Sequence, residues 1–382
     1  MSKLLYPVNT ETTIAIDYVN SIVNAPKIKK SEIEKFLKKS GLGFSLKEFL
    51  ILPFEAIVTC SAILDQKRHN KKLTFNSSYS KSLIDLKKLF NYSELLSSSI
   101  SPFFMKFSSL LNIKTCCYCN IDFVNSYIPF KNDYQDFFDL INTSDLHDLC
   151  KINGIGVARA KIIKNKCCGK IKSITDLNIH LKSQPALLAL LLSIKNTDDG
   201  IAYENLKDQK NHYTIDHILP QNDFPFFSLC LYNLVPACYT CNSKLKKSKL
   251  ISKDYIELSK LSPTSSLYKN PLEFKLFLKE NYSKNNLPTE FTQYKVQLDT
   301  NNNYPDFFNL QGRYNFHKNE SLKLIKQRKI YSDSQISEMS KLLKIDIIEI
   351  KKQLFGASLF EEDTNEPFEK YKKDIARQLD II

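Results

Sequence analysis

Glycine is scarce, with 8 in 382 residues. That disfavours a β-barrel or a glycine-rich nucleotide-binding fold and favours helices. No run of 18 or more apolar residues occurs, so no segment is expected to span a membrane. The opening MSKLLYPVNTETT has one lysine and no long apolar core, so it does not read as a secretory signal, and a cytoplasmic protein is expected. In that reducing compartment the ten cysteines read as thiols or metal ligands, not disulfides. Internal repeats and long low-complexity tracts are also missing.

The length suits two or three domains with a substantial core. At 43% hydrophobic and 25% charged residues, the composition is that of an ordinary globular protein. The net charge of +13 and pI of about 9.0 favour a polyanionic partner, chiefly nucleic acid, over a merely lysine-rich surface only if the charge is clustered.

Residues 1–105 read as an N-terminal helical region. In SEIEKFLKKSGLG, Ser31 and Glu34 form a candidate capping box. SLKEFLILPFEAIVTC reads as two helices split at Pro53, and YSKSLIDLKKLF as another amphipathic stretch. Residues 106–250 form a core in which KTCCYCNIDF has the look of a knuckle before a strand and HYTIDHILPQ reads as a strand. Residues 251–382 read as a C-terminal helical region, with helical periodicity in NPLEFKLFLKENY, SDSQISEMSKLLKIDIIEIKKQLF and NEPFEKYKKDIARQLDII. NLPTEFTQYKVQLDT is a candidate strand.

VPACYTCNSKLKKSK holds Cys238 and Cys241 at C-x-x-C spacing, and CCYC supplies Cys116 and Cys119. Two such pairs give four thiolates, which suits tetrahedral zinc. Cys60, Cys150 and Cys230 lie in apolar contexts and read as core thiols, and Cys167 and Cys168 are not at chelating spacing.

Between the pairs lie Asp216 and His217 in YTIDHILPQ and Asn233 in LYNLVP, and Asn242 follows the last cysteine directly. In that order, over about residues 114–250, the set resembles the HNH endonuclease family. The resemblance implies a ββα-metal nuclease motif stapled by a four-cysteine zinc site. It makes His217 the general base, Asp216 and Asn242 ligands of a catalytic Mg2+ or Mn2+, and Asn233 the brace of the loop carrying His217. Asn242 stands where the family's name has a final histidine, and hard oxygen donors suit a hard cation. Lys244, Lys246 and Lys247 are expected to grip phosphates beside the scissile bond.

The knuckles are 118 residues apart. Within the gap, LCKINGIGVARAKIIK joins two short helical patterns through Gly154 and Gly156 and resembles the helix-hairpin-helix motif, an insertion at about 140–200 that implies sequence-independent DNA binding. Lys151 to Lys172 hold six lysines and one arginine with no acidic residue. Arg159, Lys161 and Lys164 are the expected phosphate contacts.

The expected fold is mainly α with a small α+β core. The expected activity is metal-dependent hydrolysis of phosphodiester bonds, with double-stranded DNA as partner. The chain also resembles bacterial antiphage nuclease subunits, which work beside an ATPase. Two other readings stay open: an RNA-cleaving nuclease, and a non-catalytic zinc-stabilised DNA-binding protein.

Overall fold

About half of the chain is helical in the computed structural model, which describes residues 4–7, 12–69, 71–75, 79–195, 200–201, 206–207, 209–299, 302–362 and 364–382. The described strands are short and pair antiparallel in four small sheets. These are β1 (Arg68–His69), β2 (Lys72–Phe75) and β3 (Tyr79–Ser82); β4 (Ser126–Tyr127) with β5 (Lys210–Asn211); β6 (Thr214–His217) with β7 (Leu234–Ala237); and β8 (Phe274–Leu278) with β9 (Tyr294–Leu298). No helix among the described residues is long and apolar enough to cross a membrane.

The chain divides into two compact units. One comprises residues 1–100, 109–124 and 213–382; the other comprises 101–108 and 125–212. Residues 1–100 of the N-terminal region, the two knuckles and the C-terminal region thus belong to one unit, and the expected insertion lies in the other.

In the first unit, Ser45 and Glu48 form a reciprocal capping box that starts the helix Leu46–Leu50, and Ser82 and Asp85 do the same for Leu83–Phe90. The box expected at Ser31 and Glu34 does not form. That helix begins at Lys30, so Ser31 already lies in its first turn and Lys29 stands at the cap without a side-chain bond. Gly41, at φ +73, ends it in the left-handed conformation that glycine adopts freely.

Two stretches expected to be helical contain strands. The β1–β3 sheet lies inside the N-terminal helical region, and FKLFL forms β8. The edge of β8 is satisfied from far downstream. Asp374 and Gln378, on the helix Glu369–Gln378, accept from the amides of Phe274 and Leu276 at 3.0 and 2.8 Å, and Gln378 donates back to the Phe274 carbonyl at 2.8 Å. Such tertiary pairing overrides local helical periodicity.

The N-terminal helices support the loop between β6 and β7. Phe49 stacks on Phe227 with centroids 5.6 Å apart, the Tyr18 hydroxyl donates to the Leu229 carbonyl at 2.7 Å, and the Cys230 thiol donates to the Phe49 carbonyl at 3.1 Å. Phe36, Phe49, Phe54 and Phe90 are fully buried around this contact.

The second unit has its own core. Phe137, Leu149, Ile152, Ile155, Ile163, Leu177 and Leu191 are all fully buried in it. They lie on or beside the helices Phe137–Thr143, Leu146–Leu149, Val157–Cys167, Ile174–His180 and Pro185–Leu192.

Candidate metal centre and active site

The four expected metal ligands converge. The sulfurs of Cys116, Cys119, Cys238 and Cys241 are buried and lie within 4.8 Å of one another. Cys119 and Cys238 are 4.0 Å apart. Zinc–sulfur bonds of about 2.3 Å in a tetrahedron place the sulfurs about 3.8 Å apart, so this group can hold a metal such as zinc.

Each pair sits in a tight turn. In the first, the Asn120 amide donates to the Cys116 carbonyl at 2.8 Å and Asn120 takes φ +52, a conformation asparagine tolerates. In the second, the Cys241 amide donates to the Cys238 sulfur at 3.4 Å. The Cys117 thiol is outside the group of four and lies 3.6 Å from the Pro236 carbonyl.

Arg313, on the helix Leu310–Phe316, clamps the two turns together. Its guanidinium donates to Cys241 at 3.1 Å and to Cys119 at 3.3 Å, and pairs with Asp122 at 3.0 Å. Burial opposes a charged Cys119, yet hydrogen bonds from the neighbouring thiols and the Arg313 charge hold its pKa well below the ordinary range. One cation therefore faces a sulfur of each pair.

Between the two turns, and directly after the second, come the groups of the candidate active site. Thr214 to His217 pair with Ala237 to Leu234 in order, and a π-helical segment, Thr240–Lys246, follows. Segments of this type recur at functional sites. Asp216, His217 and Asn242 line one open cleft of about 340 Å³ together with Gln221, Asn222 and Lys247.

Adjacent strand residues face opposite ways, so Asp216 and His217 meet different neighbours. The Asp216 carboxylate accepts from the Tyr118 hydroxyl at 2.5 Å and pairs with the Lys246 ammonium at 3.1 Å. Burial raises the Asp216 pKa, against the pull of Lys246 and the Tyr118 hydrogen bond. Burial and the Asp216 charge keep the Tyr118 phenol well above its ordinary range, so it remains a donor.

The His217 ring packs edge-on against Tyr92, with centroids 4.4 Å apart, and its Nε2 lies 3.1 Å from the Ser228 carbonyl. A carbonyl only accepts, so Nε2 carries the proton and Nδ1 is left as the basic nitrogen. Burial lowers the His217 pKa to about 4, with Lys246 and Lys87 adding to the shift and the Ser228 carbonyl opposing it. The imidazole is therefore neutral at pH 7.

Asn233 holds the intervening loop by three bonds. Its Oδ1 accepts from the Leu219 amide at 2.7 Å, and its Nδ2 donates to the carbonyls of Leu219 and Phe227 at 3.2 and 3.1 Å. Asn242 donates from Nδ2 to the Thr214 hydroxyl at 2.8 Å, which fixes its amide and leaves Oδ1 as the acceptor end.

No family model, curated protein or solved structure matches this chain.

The expected phosphate contacts divide. Lys246 is corrected: it is fully buried, spends its ammonium on Asp216 and on the His217 carbonyl at 2.6 Å, and cannot grip a flanking phosphate from the surface. Lys244 and Lys247 are exposed. In the second unit, Lys161 is exposed. Arg159 is exposed too but donates to the Gly154 carbonyl at 2.7 Å, and Lys164 is half-buried and donates to the Ser144 carbonyl at 2.7 Å. Gly154, at φ +78, is held by packing, since a Cβ there would lie 3.0 Å from Leu190. Gly156 caps the helix Val157–Cys167 and faces open space.

Tyr118, Tyr92, Arg313 and the true role of Lys246 were not foreseen. Tyr118 had a local signal in its place between Cys116 and Cys119, and Lys246 one in its spacing from Asn242.

Proposed function

We propose that this chain is a metal-dependent endonuclease of the HNH type, with a zinc ion on Cys116, Cys119, Cys238 and Cys241 and double-stranded DNA as substrate. The observation that carries the reading is a neutral, oriented imidazole, His217, lining the same cleft as Asp216 and Asn242. His217 takes the proton of a water at Nδ1 as that water's oxygen attacks the phosphorus. The bond from phosphorus to the 3′ oxygen breaks, and that oxygen takes a proton from water, leaving a 5′ phosphate and a 3′ hydroxyl. Asp216 retains an acceptor edge on Oδ1, and Asn242 presents Oδ1, so the pair suits a hard divalent cation. When bound, a Mg2+ or Mn2+ there supplies positive charge for the departing oxygen.

A binding module has little use for such a cluster. Burying an Asp–Lys pair returns little net stability, and a buried neutral histidine costs stability below its ordinary pKa. The exposed Lys244, Lys247, Arg159 and Lys161 support a polyanionic substrate, and Gly156 leaves the start of its helix open to a phosphate.

Plasmid nicking with Mg2+ or Mn2+ tests the reading, beside EDTA controls and a parallel RNA substrate. The parent should nick DNA, and His217→Ala should be about 100-fold slower or worse while keeping zinc and DNA binding. Equal rates would remove His217 as the base. Cleavage of RNA alone would reassign the substrate, and no cleavage of either would leave a zinc-stapled binding protein.

A further inference from the structure

We propose that Tyr118 is a positioning residue for Asp216, through which the four-cysteine centre is coupled to the chemistry of the cleft; this rests on the nuclease reading above. Tyr118 lies between Cys116 and Cys119, inside the turn those two cysteines close, so any metal on the thiols fixes its backbone. Its carbonyl accepts from the Tyr304 hydroxyl at 2.8 Å. Its ring stacks on Phe308 with centroids 4.9 Å apart and planes 17° from parallel. The phenol thus arrives at Asp216 Oδ2 from a held backbone and a held ring.

Tyr118 is fully buried and takes no part in lining the cleft, so it acts through the carboxylate and not on substrate. Oδ2 receives both Tyr118 and Lys246, whereas Lys246 reaches Oδ1 at 3.2 Å. The two donors fix the carboxylate plane and leave the open acceptor edge on Oδ1. Without the phenol, the carboxylate rests mainly on Lys246, which restrains its rotation less, because an ammonium is a rotatable point donor. Groups that orient a ligand in this way typically govern about 10- to 100-fold in metal affinity or activity.

Tyr118→Phe keeps the ring on Phe308 and removes only the hydroxyl. The test measures zinc by elemental analysis, thermal melting, Mn2+ binding by EPR titration, and DNA nicking, in the parent and in Asp216→Asn. Tyr118→Phe should keep zinc and melting temperature, weaken Mn2+ binding about 10- to 100-fold, and lower kcat more than it raises KM for DNA. In the Asp216→Asn background the same change should have no further effect on Mn2+ binding.

Unchanged Mn2+ binding and cleavage would overturn the proposal. So would loss of zinc or of the fold, which would make the hydroxyl structural, or an equal effect in both backgrounds. If the parent cleaves nothing while Mn2+ binding follows the expected pattern, the nuclease reading fails and the coupling stands. If the parent cleaves and Tyr118→Phe matches it in every measurement, the coupling fails and the nuclease reading stands.

Discussion

Lys246→Met separates two roles for one lysine. The ammonium lies 3.1 Å from the Asp216 carboxylate, and both side chains are almost fully buried. At an effective dielectric of about 20, that separation is worth roughly 5 kcal/mol of attraction, most of which offsets the desolvation of the two groups. Removing one partner leaves the other charge uncompensated, which typically costs about 3–5 kcal/mol. Tyr118 still donates to Asp216, so the lower end of that range is expected. Urea denaturation of Lys246→Met should report the loss, and Asp216→Asn added to it should recover most of it, because no buried charge then remains. A lysine that served only to grip phosphates would behave otherwise. Its removal would shift stability by less than about 0.5 kcal/mol, weaken DNA binding, and reduce the salt slope by about 0.9. That second pattern would refute the buried-pair argument.

Burial holds His217 neutral down to about pH 4, whereas the unfolded imidazole takes a proton below about 6.5. Its neutral form therefore supports the fold fully above pH 6.5, and that support falls away as pH drops toward 4, by roughly 3 kcal/mol in all. Melting temperatures from pH 4.5 to 7.5 should fall more steeply on the acid side for the parent than for His217→Ala, and equal slopes would contradict the burial argument. Arg313→Met should speed the loss of zinc to a chelator by about 10- to 100-fold; an unchanged release rate would leave the guanidinium without a role at the thiols. Gly154→Ala should lower stability by about 1 kcal/mol or more, because it combines positive φ with a contact at Leu190. Gly156→Glu should melt like the parent and bind DNA more weakly, and unaltered binding would return that segment to packing alone.

The elements that were legible are those whose cause is local. Pro53 splits two helices, because a proline inside the second would lack the amide the helix needs. The β8 strand failed that test. FKLFL reads as part of a helix until the side chains of Asp374 and Gln378, about a hundred residues later, satisfy its backbone. Ser31 failed for a different reason: the helix starts at Lys30 with Lys29 at the cap, and a shift of two residues removes the geometry a cap needs.

The candidate site divides along the same line. Cys116, Cys119, Cys238 and Cys241 stood out because chelation imposes a short spacing within each pair, and Asp216, His217, Asn233 and Asn242 because their order is tied to that second pair. What surrounds them imposes no spacing. Tyr92 reaches His217 from the N-terminal helices, and Arg313 reaches Cys119 and Cys241 from the C-terminal ones. Lys246 shows the sharper limit. It lies in a run of lysines whose neighbours Lys244 and Lys247 are exposed, and nothing in the residue type distinguishes it. Its position does. On the Thr240–Lys246 segment it sits four residues after Asn242, the spacing that puts two helical side chains on one face. Asn242 lines the cleft beside Asp216, and Lys246 reaches that buried carboxylate at 3.1 Å, while Lys244 and Lys247 are exposed. The charge that matters most to the site is therefore the one lysine of the run that the solvent does not see.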